Sequence, residues 1–230
     1  MSLKIIAKEL GLSLTTVSRA LNGYPEVSAH TRVQVMAAAK AHHYRPNARA
    51  RGLALGRAEA VGVVFPITPT DLGDAMFLQV TSAMSERLAQ AGLDLLIISA
   101  SARDELEAYK RTIAAHRVDA FVVPRTCQKD ERLTLLQAQG VPFVAYGRSA
   151  QFEQTYAWLD FDNQAGARMA TERLLAFGHR RVAYLGAPPM YNFAADRYQG
   201  FCTAMEGAGL SVDPTLVQRV AMERRLGYAD

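Results

Sequence analysis

The spacing of apolar residues near the amino terminus predicts a short helix that ends in a tight turn. Ile5, Ile6 and Leu10 give this helix an apolar face that can pack against a neighbouring element. Gly11 suits the left-handed conformation that commonly follows a helix, and Ser13 is a favourable N-cap for a second one. The pattern therefore predicts two helices separated by a turn of three to four residues.

The second predicted helix, Leu14–Leu21, has one apolar and one polar face. Val17 and Leu21 lie four residues apart and are expected to face inward. Two helices joined by such a turn form the helix-turn-helix unit, whose second helix contacts DNA bases through its amino-terminal half. The side chains expected to face outward there are Leu14, Thr15, Ser18 and Arg19. The spacing alone also fits any small three-helix domain.

A third helix is expected after a break at Asn22–Gly23. Ser28 is the predicted N-cap, and the helix should run from Ala29 to His43. Its buried stripe is predicted to consist of Val33, Met36, Ala37 and Ala41. These three helices would form a small amino-terminal head.

A basic segment follows the predicted head and precedes a strand-like run at residues 60–65. Arg49 and Arg51 flank small residues there, and Leu53 has little nearby to pack against. An apolar side chain in such a place suits insertion at a minor-groove step, with the arginines binding the backbone. The alternative is that Leu53 is a core residue of the linker.

Three motifs make the chain resemble the LacI/GalR family of bacterial transcription regulators: Thr16–Asn22, Tyr44–Asn47 and Ala50–Leu53. The resemblance implies a homodimer that binds a pseudo-palindromic operator in double-stranded DNA, with paired hinge segments in the minor groove. Together with the outward face of the second helix, it gives the following expected DNA contacts: Leu14, Thr15, Ser18, Arg19, Asn22, Tyr44, Asn47, Arg49, Ala50, Arg51 and Leu53.

The charge distribution agrees with that expectation. Residues 1–60 contain nine Lys/Arg and three Asp/Glu, a net charge of +6, whereas the remainder carries a net charge of −2. A basic region that coincides with a helix-turn-helix pattern is typical of a DNA-binding surface. The alternative is an ordinary solvated face on a small domain.

Cysteine usage and the hydrophobic profile indicate the compartment. Cys127 and Cys202 are the two cysteines and form no CxxC motif. This argues against a metal site or a disulfide framework and fits a reducing cytoplasm. The amino terminus has no apolar signal-peptide region, and no apolar run approaches the length of a membrane span, so secretion and membrane insertion are not expected.

From Ala60 onward, short apolar runs alternate with amphipathic stretches. The predicted strands are 61–65, 93–98, 120–123, 142–145, 181–185 and 216–220. The predicted helices are 74–91, 104–116, 131–139, 163–177 and 194–207. This alternation predicts parallel sheets with right-handed crossovers, so the fold class is α + α/β. The resemblance implies two sheets like those of periplasmic binding proteins, with the second incomplete.

Ligands of parallel sheets bind beyond the carboxyl ends of the strands. Arginines, carboxylates and aromatic residues follow several predicted strands, and this combination suits a sugar because charged groups bind hydroxyls while rings stack on C–H surfaces. The candidate effector-binding residues are Asp71, Phe77, Arg125, Arg148, Phe193 and Arg197. Each arginine could instead be a surface charge or part of a helix-terminal ion pair.

The resemblance adds weight to Arg197, because family members have a matching arginine that binds the effector. It also implies that Asp162 and Asn163 lie near the crossover between the two subdomains. The loop that leads to Phe77, with Arg125 and Arg148, is most similar to the branch that senses sugars such as α-glucosides. The expected function is a repressor controlled by a small sugar.

No pattern in the chain indicates catalysis. Walker A, GxGxxG, GxSxG and HExxH motifs are all missing, and no cofactor is expected. His179 has no nucleophile or base at a suitable spacing and is interpreted as structural. The competing function is a sugar-binding module of the periplasmic type with no regulatory role; the basic head argues against it.

The expected domains are a DNA-binding head at 1–46, a hinge at 47–59, a first α/β subdomain at 60–161 and a second at 162–230. The resemblance implies an effector domain that continues well beyond Asp230. The sequence is therefore expected to be a fragment or a truncated product, with an unpaired sheet edge in its second subdomain.

Overall fold

The chain forms two compact units, Met1–Ala58 and Glu59–Asp230, each with its own hydrophobic core. Its structure is a computed structural model. The residues that it describes are 3–44, 56–65, 75–101 and 103–222.

The first unit contains the three expected helices: α1 (Leu3–Leu10), α2 (Leu14–Leu21) and α3 (Ala29–Ala41). The predicted N-caps Ser13 and Ser28 are confirmed, since each hydroxyl accepts a hydrogen bond from the backbone N–H three residues later, at 3.0 Å and 3.1 Å. Helix α3 ends two residues before the predicted end. The buried core residues are Ile6, Ala7, Val17, Ala20, Val35, Ala38 and Ala39.

The predicted buried stripe of α3 is wrong. Val33 and Met36 are exposed, and so are Ala37 and Ala41. The buried face is the one that carries Val35, Ala38 and Ala39. Small alanine side chains allow short helices to approach closely, so packing against α1 and α2 selects this face over the one with larger apolar residues. In α1 the prediction for Ile5 is also wrong, since it is exposed while Ile6 is buried.

The second unit begins with a five-stranded parallel sheet. Its strands are β1 (Ala60–Phe65), β2 (Asp94–Ser99), β3 (Ala120–Pro124), β4 (Phe143–Tyr146) and β5 (Ala157–Leu159), in the order β2-β1-β3-β4-β5. The helices that connect the first four strands are α4 (Ala75–Gln90), α5 (Glu105–Ala114) and α6 (Glu131–Ala138). Tyr109, Phe121, Val123, Leu133 and Leu136 are buried in the core of this region.

The rest of the second unit contains two helices and a two-stranded parallel sheet. The elements are α7 (Asn163–Ala176), β6 (Tyr184–Gly186), α8 (Asn192–Gly207), a 3-10 turn (Pro214–Leu216) and β7 (Val217–Arg219). Helices α7 and α8 pack closely at Gly200. A Cβ atom there would lie 2.1 Å from the carbonyl oxygen of Gln164, so the contact requires glycine.

The six predicted strands of this unit are all present, with shifted ends, and β5 was not predicted. Strand β5 has three residues, all exposed, and it forms through pairing of Ala157 with Val144 and of Leu159 with Tyr146. Because the five strands are parallel, Phe65, Pro124, Tyr146 and Leu159 end at one edge of the sheet. That edge is where the ligand residues are expected.

Candidate functional site

An open groove lies on the surface of the first unit between α1 and the amino-terminal half of α2. Its lining residues are Leu3, Lys4, Leu14, Thr15, Ser18, Arg19, Asn22 and Tyr24. Five of these are predicted DNA contacts, so the structure brings them to one surface. Leu3, Lys4 and Tyr24 were not predicted, because α1 and the turn after α2 reach this surface only through packing of the helices.

The groove combines apolar surface from Leu3 and Leu14 with the hydroxyls of Thr15 and Ser18 and the positive charges of Lys4 and Arg19. Leu14, Thr15 and Arg19 are exposed, whereas Val17 and Ala20 on the opposite side of α2 are buried in the head core. A helix fixed in this way presents its outer side chains as a rigid row. Hydroxyl and guanidinium groups in such a row can donate to base edges and to phosphate oxygens.

Two side chains stabilise the end of α2 and the turn that follows. The Asn22 amide donates to the Ser18 hydroxyl at 3.4 Å. The Arg32 guanidinium donates from Nη2 to the carbonyl oxygen of Tyr24 at 2.8 Å. These bonds connect the groove to α3 and fix the turn that forms one end of it.

The remaining predicted DNA contacts are not among the described residues that line this groove. Tyr44 is half-buried and packs against the core of the head. His43, just before it, has a φ of 49°, the left-handed conformation that follows α3. The predicted contacts at Asn47, Arg49, Ala50, Arg51 and Leu53, and the predicted effector contact at Asp71, lie outside the described residues.

At the carboxyl edge of the large sheet, a first group consists of Phe65, Phe77 and Arg125. The two rings lie 4.8 Å apart between centroids, and the Arg125 guanidinium carbon lies 4.2 Å from the centroid of the Phe65 ring. Strand β1 supplies one ring, α4 the other, and the loop after β3 the cation. Two predicted effector residues are thus brought together around a third residue that was not predicted.

Beneath this group lies a buried ion cluster. The Arg132 guanidinium donates to both carboxylate oxygens of Asp130, at 2.9 Å and 2.7 Å, and to Glu105 Oε1 at 2.6 Å. Burial alone would raise the pKa of Asp130, but hydrogen bonds from Arg132 and from the Cys127 backbone N–H lower it below its ordinary value. The Asp130–Arg132 pair therefore stays ionised at neutral pH.

A second group forms around Arg148, after β4. Its backbone N–H donates to Asp160 Oδ2 at 2.8 Å, and its side-chain Nε lies 3.6 Å from the same oxygen. The guanidinium carbon is 5.3 Å from the centroid of the Trp158 ring. This group borders an open cavity of about 550 Å³ that is also lined by Tyr156 and Asp196.

A third group joins α7 to α8. Arg197 Nε donates to Asn163 Oδ1 at 2.8 Å, and the guanidinium carbon lies 5.0 Å from the centroid of the Phe193 ring. Asn163 is buried, and its amide also donates to the carbonyl of Phe161 at 3.1 Å. A guanidinium that is held on one side by an amide and a ring keeps its Nη atoms available to another partner.

Asn192, the first residue of α8, links this helix to the loops after β3 and β4. The backbone N–H of buried Asn192 donates to the Thr126 carbonyl at 3.0 Å, and its side-chain oxygen accepts from the Ala150 N–H at 3.1 Å. Burial raises the pKa of Asp196, an effect that Arg148 opposes. Asn192 and Asp196 of α8 thus line the same cavity as Arg148 and Trp158, whose polar and aromatic side chains can bind a hydroxylated ligand.

Several residues of this region escaped the sequence predictions. Trp158 and Asp160 belong to the short strand β5 and its end, and Asn192 precedes the predicted start of α8. Asp130 and Arg132 carry no pattern that separates them from surface charges of a helix start. Only the contacts above reveal their roles.

The described parts of the chain hold neither a metal-binding cluster nor a membrane-spanning helix. In residues 3–44, 56–65, 75–101 and 103–222, no group of three His, Cys, Asp or Glu side chains is placed to bind a metal ion. Within the same ranges, no helix has the length and apolar character needed to cross a membrane.

Comparisons with known proteins agree for both units. Residues 2–47 match the sequence model of bacterial regulatory proteins of the lacI family, and residues 58–228 match that of periplasmic binding proteins and the sugar binding domain of the LacI family. The HTH-type transcriptional regulator RafR of Escherichia coli is 40% identical over 228 residues, which are 99% of this chain and 67% of that protein.

Two solved structures are also similar. A transcriptional regulator CelR–cellobiose complex has a TM-score of 0.68 and 28% identity, covering 100% of this chain and 68% of that one. A lac repressor dimer bound to operator and the anti-inducer ONPF has a TM-score of 0.74 and 25% identity, covering 95% of this chain and 64% of that one. The chain spans about two thirds of the length of these proteins.

Proposed function

Because the chain belongs to the LacI family of bacterial regulatory proteins, we propose that it is a sequence-specific DNA-binding transcriptional regulator, most simply a repressor. The observation that carries this proposal is the groove of the head. Its outward row on α2 lies beside Lys4 of α1 in a unit with a strongly basic sequence. The dimensions of an α-helix suit the major groove of B-DNA, so this row is the base-reading surface.

The proposed assembly is a homodimer on a pseudo-palindromic operator. Each head reads one half-site, and residues 47–59 act as the hinge in the minor groove. The protein would act in the cytoplasm, where its DNA is. This arrangement explains why the basic charge is concentrated in the first sixty residues.

Arg19 is the first residue to test. The operator is selected from a pool of random double-stranded oligonucleotides, and affinity is then measured for the selected site and for random DNA. Arg19→Ala should weaken specific binding by about 10- to 100-fold, the discrimination that one bidentate guanine contact supplies, and should change random binding much less. Lys40→Ala, which removes one charge from α3, is the matched control.

One outcome would contradict the base contact proposed for Arg19, and another would contradict the DNA-binding role of the head. An equal loss on both DNAs would make Arg19 a phosphate contact. A failure of the wild-type chain to enrich any sequence, combined with saccharide binding, would favour the alternative, a sugar-binding module without a regulatory role.

We further propose that a saccharide is the effector. The three arginine groups at the sheet edge and on α8 combine cations, carboxylates and aromatic rings, of which Trp158 is exposed, and sugars bind through such contacts. The structure of the similar regulator CelR contains cellobiose. A saccharide bound between the large sheet and α8 would change how closely these elements approach each other. This change would in turn alter the affinity for DNA.

The single tryptophan of the chain makes this proposal testable by fluorescence. Trp158 lies beside Arg148 and lines the same cavity, which is the candidate ligand cleft. Cellobiose and a panel of other mono- and disaccharides are titrated while Trp158 emission and operator affinity are recorded. A saturable change is expected with at least one sugar, and no response to any of them would contradict the effector proposal.

A matched pair of variants then localises the effect. Arg197→Ala should abolish most of the response, because its guanidinium lies against Phe193 at the cleft. Arg173→Ala removes a similar cation from α7, 4.3 Å from the centroid of the exposed ring of Phe177, the residue that follows the helix. Equal losses in the two variants would mean that the arginine on α8 has no special role.

A further inference from the structure

We infer that Arg132 is a positioning residue of the ligand cleft, and that it acts by fixing the loop 125–130 between the large sheet and α8. The inference rests on the proposed saccharide site and deepens it. Arg132 lies at the start of α6, pointing away from any open surface: only 8% of the residue is exposed. Its effect on a ligand would therefore pass through the loop, and chiefly through Arg125.

The Arg132 guanidinium has a partner for each of its three nitrogen atoms. Nε and Nη2 fork onto Asp130, and Nη1 binds Glu105. Nη2 also donates to the backbone carbonyl of Arg125 at 3.1 Å. An ion pair between Arg132 and the two carboxylates does not require this last bond. The bond connects the buried cluster to the backbone of Arg125, a predicted effector residue.

Arg125 has a backbone conformation that needs such support. Its φ is 52°, in the left-handed region that an L-residue with a long side chain seldom adopts. The conformation directs its guanidinium to the Phe65 ring. Strained residues persist where the surroundings hold them, and the bond from Arg132 to the Arg125 carbonyl is such a restraint.

The same loop also holds the segment that leads into α8. The Thr126 carbonyl accepts from the Asn192 N–H, and the Gln128 backbone N–H donates to Met190 at 3.0 Å. The Gln128 side chain donates to Pro189 at 2.9 Å. Because α8 carries Phe193 and Arg197, fixing the loop 125–130 positions both sides of the cleft.

The test separates positioning from general stability by a double-mutant cycle. Arg132→Lys keeps the charge but cannot fork onto Asp130 while also reaching Glu105 and Arg125. Saccharide affinity is measured by Trp158 fluorescence, with cellobiose and each panel sugar that gives a signal. Arg132→Lys should weaken binding about tenfold in the wild-type background and clearly less in an Arg125→Ala background, where only the contacts of the loop with the segment before α8 remain to be disturbed. Equal effects in both backgrounds would overturn the inference.

Hydrogen exchange of the ligand-free protein tests, without any sugar, whether Arg132 fixes the loop 125–130. Peptides that cover 125–130 should exchange faster in Arg132→Lys than in the wild type. They should stay unchanged in Arg168→Lys, whose partner Glu172 lies on an exposed helix face. Unchanged exchange in Arg132→Lys would overturn the inference, whereas a wild-type chain that binds no sugar would overturn the proposed function alone.

If Arg132→Lys does not fold, Glu105→Gln replaces it. This variant leaves the Asp130 pair intact and removes the charge of one acceptor. The same two readouts should change in the same direction by a smaller amount, and no change in either would again overturn the inference.

Discussion

Helix α2 in the head and the loop after β3 in the body both present arginines for binding, but different interactions fix them. Arg19 lies on a helix whose N-cap and buried face are all within ten residues of it. Arg125 lies in a left-handed turn held by Arg132 and, through the latter, by Glu105 of another helix. Local contacts alone position the first arginine, whereas the restraint on the second also depends on Glu105, 27 residues from Arg132 along the chain, and on Asn192 of α8.

The difference has an energetic consequence. A helix N-cap contributes about 1 kcal/mol, and its loss frays one end of a helix. Removing one partner from a buried ion pair costs about 3–5 kcal/mol, because the other charge stays buried without compensation. Substitutions should therefore affect the two regions unequally.

Asp130→Asn should lower the free energy of unfolding by about 3–5 kcal/mol at neutral pH, because it leaves Arg132 with one fewer buried counter-charge. Asparagine caps a helix as well as aspartate does, so the start of α6 is retained. Urea denaturation followed by circular dichroism measures the change. Glu172→Gln, which breaks the exposed pair with Arg168, is the control and should have an effect below about 1 kcal/mol.

The same pair predicts a pH dependence. The pKa of Asp130 is lowered in the folded protein, so its stabilising effect is complete above the unfolded value of about 3.9 and is lost as the pH falls through the folded value. The difference between wild type and Asp130→Asn should shrink below about pH 4. A difference that is the same at neutral and acid pH would show that the carboxylate charge does not stabilise the loop.

Gly200→Ala tests whether α8 is held as closely as the cleft requires. The added Cβ would meet the backbone of α7 at Gln164, so we expect a loss of about 1–3 kcal/mol and a weaker saccharide response. Gly166→Ala, on α7 itself, has no atom within 4 Å of the new Cβ and should stabilise by about 0.5–1 kcal/mol. If both variants gained stability in thermal melts, the close helix packing would be wrong.

Ser13→Ala should have the smallest effect, about 1 kcal/mol, because it removes the hydroxyl that accepts the Thr16 N–H. Operator affinity should fall with it as the start of α2 frays, whereas loop exchange at 125–130 should not change. Ser13→Asn should restore both stability and DNA binding. Loss of DNA binding in Ser13→Asn would indicate that the hydroxyl itself contacts DNA.

The sequence by itself determined the three helices of the head, their two caps and the outward face of α2. It also determined the alternation of strands and helices that makes the sheets parallel. These features follow from residues close together in the chain, through capping, turn residues and apolar spacing. The carboxyl edge of the sheet could be located in the same way, and so could the arginines that follow its strands.

Only the tertiary structure decided which face of α3 is buried, that Ala157–Leu159 is a strand, and which side chains surround each arginine. The apolar spacing of α3 fits two faces, and only packing against α1 and α2 selects one. The strand exists through pairing with β4. The bond from Arg132 to the Arg125 carbonyl spans seven residues, but the guanidinium that makes it is also held by Glu105, 27 residues away, and no local pattern encodes that contact.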